Sequence, residues 1–123
     1  MFVKSIHWMD KEDKEAEVIV SDGKNEILCF SHPFSGAIGD ILVNPLECMD
    51  AEEIQILDDE NFNIEKIDPN DYFEYKIGGK LISADKKLVL VGDLLLSLEG
   101  CDIPKDLKNN NFVTFITSRI NIF

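Results

Sequence analysis

The sequence predicts an all-β domain, mainly antiparallel, and three observations carry that expectation. Apolar and polar residues alternate with period two along most of the chain, the spacing that turns one face of a strand inward. Turn-forming residues recur between the alternating runs. Asp22-Gly23 stands between two such runs, where Gly accepts the positive φ that a tight hairpin needs.

Phe2 to Trp8 reads as the first strand, with Phe2, Ile6 and Trp8 on one face and Val3, Ser5 and His7 on the other. After a charged turn at Asp10 to Lys14, Glu15 to Val20 alternates again, with Ala16, Val18 and Val20 together. The hairpin returns as Glu26 to Phe30. A loop with Pro33 and Gly36 leads to a short strand, Ile41 to Val43, closed by Asn44-Pro45. The one helical turn expected is Asp50 to Leu57, where Asp50 as cap and Glu53 three residues on resemble a capping box; Ile54, Ile56 and Leu57 would equally suit a strand.

Strands resume at Tyr72 to Ser83, where Gly78-Gly79 allows a bend or bulge. Leu88 to Val91 and Leu94 to Leu98 follow, either side of Gly92-Asp93, as one bent strand or two. A loop from Gly100 to Asn111 precedes a final strand, Phe112 to Phe123. Eight or so segments with glycine kinks fit one domain over residues 1–123, a small, partly open barrel of the OB or SH3-like sort. A β-sandwich is the alternative. An acidic connector at about 47–71 separates two β-halves.

Charge is unevenly placed. The formal net charge is −12. Residues 1–61 hold 15 acidic and 4 basic side chains, and residues 62–123 hold 9 and 8. Glu47 to Glu74 carries eleven carboxylates against the single Lys66. Such a surface repels nucleic-acid backbones and anionic lipid and attracts a basic protein. The opening residues lack the apolar run of a signal peptide, and Leu88 to Leu98 is too short and too interrupted to span a bilayer. A cytoplasmic home is the expectation.

The three cysteines, Cys29, Cys48 and Cys101, are odd in number and lack a CxxC spacing, so they read as reduced and structural. Cys29 and His32 have the residue types of a thiol nucleophile and its base, and with Cys48 and Cys101 those of a zinc site. Neither pattern has a recognisable spacing. Asp58-Asp59-Glu60 and Asp68-Pro69-Asn70-Asp71 offer clustered carboxylates but not the EF-hand order. Trp8, Phe73, Tyr75, Phe112 and Phe115 are candidates for a stacking platform, though the basic groove that single strands need is thin.

No catalytic, cofactor or metal motif is present, so no enzymatic role and no cofactor are expected. The reading that remains is a protein-interaction module acting through an acidic surface, with Asp58, Asp59, Glu60, Asp68, Asp71 and Glu74 as its candidate residues and a basic protein as partner. An immunity or inhibitor-type protein is one form of it. The alternative is a barrel that binds a small molecule or single-stranded nucleic acid.

Overall fold

The computed structural model describes residues 1–70 and 73–122. Eleven strands form among them, and no helix. In chain order they are β1 (Phe2–Asp10), β2 (Glu15–Ser21), β3 (Glu26–Ser31), β4 (Leu46–Met49), β5 (Glu52–Leu57) and β6 (Asn63–Lys66). The second half supplies β7 (Tyr75–Ser83), β8 (Leu88–Val91), β9 (Leu94–Ser97), β10 (Phe112–Thr117) and β11 (Arg119–Asn121). All lie in one mixed sheet with the order β1-β2-β3-β11-β4-β9-β8-β7-β10-β5, and β6 pairs with β7 beside this path.

The all-β expectation holds; the sheet is mixed and is not closed into a barrel, which leaves the OB or SH3-like form of the expected partly open barrel without support. Its end strands, β1 and β5, each have one strand partner. The outer edge of β1 is covered instead by a loop: Val3 N–H donates to the Asp40 carbonyl and Leu42 N–H to that of Met1, each at 2.9 Å. That loop takes up Ile41 to Val43, which forms only an isolated bridge at Phe2 rather than the expected strand. Ile41 and Val43 stand 71% and 80% exposed. Two neighbouring pairs are parallel, β3 with β11 and β4 with β9; the other strand pairs are antiparallel.

One continuous core lies under the sheet. Ala16, Val18 and Val20 of β2, Ile77 and Leu81 of β7, Val89 and Val91 of β8, and Val113 and Phe115 of β10 are all buried in it. The alternation that predicted these strands is the alternation observed. In β1 it breaks. Val3 faces Val20, yet Ser5 faces Ile19, so Lys4 is an extra residue in a bulge. The bulge reverses the phase and puts Val3, not Phe2, on the side of Ile6 and Trp8.

In the acidic segment, residues 47–70 contain most of β4 and all of β5 and β6. The helical turn expected at Asp50 to Leu57 is β5. Asp50 and Glu53, the two capping-box positions, both have positive φ, 51° and 54°. Left-handed backbone at those positions makes a corner and an irregularity in the pairing with β10 rather than a helix start. Gly78 and Gly79 do not bulge either; the irregular pair in β7 comes later, between Leu81 and Ser83. Leu88 to Leu98 resolves into two strands joined through Gly92 at φ 58°. The ends of two expected strands, Tyr72 of the 72–83 run and Phe123 of the last, lie outside the described residues.

Candidate functional site

The acidic residues fall on either side of β6. Asp58, Asp59 and Glu60 leave the end of β5 and are exposed, as is Asp68 beyond β6. The Asp68 carboxylate accepts from Asn70 N–H at 2.9 Å and shapes its own turn. Glu74 is half-buried just before β7, and Asp71 lies outside the described residues. A strand of four residues spans roughly 13 Å, so the candidate set forms two groups separated by β6, not one cluster. Glu65 of β6 and Glu52 and Glu53 of β5 are exposed too and extend the acidity. Sequence reading counted these three in the acidic stretch but did not name them among the candidate surface residues.

Apolar groups interrupt this acidic region. Ile56, Phe62 and Ile67 are large hydrophobic side chains left exposed. Phe62 is nevertheless held, its ring edge-on to Phe112 of β10 with centroids 5.7 Å apart. The chain reaches that position by crossing close over β7 at Gly78, where a Cβ would stand 3.3 Å from the Asn61 side chain.

The thiol and zinc constellations do not assemble. Cys29, Cys48 and Cys101 are buried and unpaired, whereas His32 is exposed beyond the end of β3. Burial pushes the Cys29 thiol far above its ordinary pKa. Burial does the same to Cys48, aided by the neighbouring Cys29, Cys101 and Glu47. A thiol so held is a poor nucleophile. Cys101 instead serves the corner after β4: its Sγ donates to the Cys48 carbonyl at 3.6 Å and accepts from Ala51 N–H at 3.3 Å. Among the described residues no three His, Cys, Asp or Glu side chains are grouped to hold a metal.

The aromatic residues do not form a platform. Tyr75 and Phe115 are core, and Trp8 packs against the buried Phe34 with centroids 6.1 Å apart. The Tyr75 hydroxyl accepts from Leu28 N–H at 3.0 Å, and so satisfies a β3 donor that lies beyond the reach of the short β11.

A second feature went unread in the sequence. Consecutive strands bend together at one corner: β4 gives way to β5 at Asp50, and β10 to β11 at Ser118. The Met49 carbonyl accepts there from Thr117 Oγ1 at 2.7 Å, Ser118 N–H at 3.1 Å and Ser118 Oγ at 3.3 Å. Ser118 Oγ also lies 3.1 Å from Asp50 Oδ2. The break shifts the alternation by one residue, so that Thr117 and Ile120 are both buried while Arg119 lies between them toward the other face. An open cleft of about 380 Å³ results, lined by Met49, Asp50, Phe73, Ser118 and Arg119. The Arg119 guanidinium lies 4.6 Å from the centre of the Phe30 ring, which meets Phe73 edge-on at 6.4 Å. Arg119 Nε is buried without a hydrogen-bond partner. No sequence signal marks this cleft, because residues 49–50, 73 and 118–119 meet only through pairing.

No helix of the described residues is long and apolar enough to cross a membrane. No protein-family model, curated protein or solved structure matches the chain.

Proposed function

We propose that this chain is a protein-interaction module, and that β5 and the segment through β6 receive a basic partner protein. The observation that carries the reading is Phe62. Phe62 is 46% exposed, its ring meets Phe112 edge-on, and it follows the exposed Asp58, Asp59 and Glu60 directly in the chain, with exposed Asp68 beyond β6. An ordered aromatic anchor costs little entropy on binding, and surrounding charge gives rate and specificity. An inhibitor that covers a basic enzyme or toxin is one form of such a module.

Tagged protein incubated with native lysate at low salt, and again at about 0.5 M where exposed charges are heavily screened, tests this. The expected result is one basic protein retained at low salt and weakened at high salt. Reversal of Asp58, Asp59, Glu60 and Asp68 to Lys should slow association with that purified protein by about tenfold or more, and Phe62→Ala should speed its release. If the reversed variant bound it as fast as the parent, the acidic surface would not be the interface.

A further inference from the structure

We propose that the corner cleft is a binding site for a small zwitterion of the free amino-acid type, its carboxylate on Arg119 and its ammonium on Asp50. This proposal does not depend on the acidic face.

Arg119 is the chain's one arginine. Its fork presents donors in a plane that matches a carboxylate, yet no carboxylate of the described residues pairs with it. The guanidinium lies 4.6 Å from the centre of the Phe30 ring, and Arg119 lines the open cleft. A ligand carboxylate in the cleft supplies the guanidinium with a partner that no carboxylate of the described residues supplies.

An anion alone is a poor fit. The chain carries a net charge of −12, and Asp50 lines the same cleft. Asp50 and Arg119 share the cleft without forming an ion pair. Of the two Asp50 carboxylate oxygens, the Ser118 hydroxyl engages Oδ2. A carboxylate and a guanidinium held apart across a cleft complement a molecule carrying both opposite charges. The ammonium offsets the repulsion that a simple anion would meet, and Met49 and Phe73 offer apolar surface to the rest of the ligand. The backbone at Asp50, at φ 51°, is a conformation that Asp and Asn adopt more readily than other side chains. Asn can therefore replace it without moving the corner.

The single arginine gives a direct reporter, because ¹⁵N-labelled protein has one Arg Nε–H resonance. The full-length chain is titrated with the common L-amino acids, with acetate and n-butylamine as single-charge controls. At least one amino acid should shift the Arg119 Nε–H resonance together with the amides of Asp50 and Ser118, at concentrations where neither control does. Arg119→Lys and Asp50→Asn should each weaken that binding by about tenfold or more, as loss of a charge-assisted hydrogen bond does. The amide spectrum of each variant verifies that it is folded. Absence of any shift with the whole panel overturns the proposal. So does acetate binding as tightly as the amino acids, or an affinity left unchanged in folded Arg119→Lys.

Discussion

Asp22 sits at the tip of the β2–β3 turn, yet its carboxylate also holds the turn between β8 and β9. Oδ1 accepts from the amides of Lys24 at 2.9 Å and Asn25 at 2.6 Å. Oδ2 accepts from Asn25 Nδ2 at 3.0 Å and from Asp93 N–H at 2.8 Å, 71 residues away. Gly92 makes the approach possible, since a Cβ there would stand 2.7 Å from Oδ2. Partial burial disfavours the charged form, but the hydrogen bonds from Asn25, Asp93 and Lys24 outweigh it and hold the carboxyl well below the usual carboxylate range. A depressed folded-state pKa gives stability that is complete above the unfolded value of about 4 and is lost as pH falls below it. Asp22→Ala should cost about 2 kcal/mol at neutral pH in urea unfolding. Asp22→Asn should lose less at neutral pH and show a shallower loss of stability below about pH 4 than the parent. An acid limb of unchanged steepness would mean that other carboxylates set it.

At the scale of the element, Gly79 shows how closely β7 and β8 are packed. A Cβ there would meet Val89 Cγ1 and Val91 Cγ2 at 2.8 Å and the Leu90 carbonyl at 2.9 Å, and the backbone atom cannot yield as a side chain would. Gly79→Ala should therefore destabilise by about 1–3 kcal/mol through overpacking. Gly100→Ala, where nothing lies within 4 Å, should stay within about 0.5 kcal/mol of the parent. Equal stabilities for the two variants in chemical unfolding would show that β8 moves aside. The pair also marks what a sequence discloses. The Gly78-Gly79 dipeptide pointed to a special place in a strand, but not to which neighbour came close. Strands with regular pairing, such as β2 and β10, were legible because period two needs no knowledge of the partner. β1 was misread in phase because its bulge is defined only against β2. β5 was misread in type because Asp50 and Glu53 have helix-cap chemistry, while the pairing with β10 required left-handed backbone from them. The acidic residues of the candidate surface were legible one by one, whereas their division by β6, and the Arg119 cleft, arise from pairings between distant segments.

Over the whole molecule, the chain order and the sheet order diverge most at β11. This three-residue strand, the last in sequence, lies between β3 and β4, and Ile120, fully buried, pairs with Cys48. The sheet path from the β1–β3 part to the rest thus runs through residues near the end of the chain. Cys29 on β3 and Cys48 on β4 lie on either side of it, 0% and 2% exposed, while Cys101 in the loop after β9 is 8% exposed. Opening at β11 uncovers both strand thiols together, so Cys29 and Cys48 should react with an aromatic disulfide reagent at one shared rate, slower than Cys101. Site-resolved mass spectrometry of the labelled chain measures the three rates. Ile120→Ala, which removes a fully buried side chain at a cost of about 2–5 kcal/mol, should accelerate Cys29 and Cys48 by the same factor. A variant in which only Cys48 accelerates would show that β4 opens without β3, and that the two parts of the sheet are held together by something other than β11.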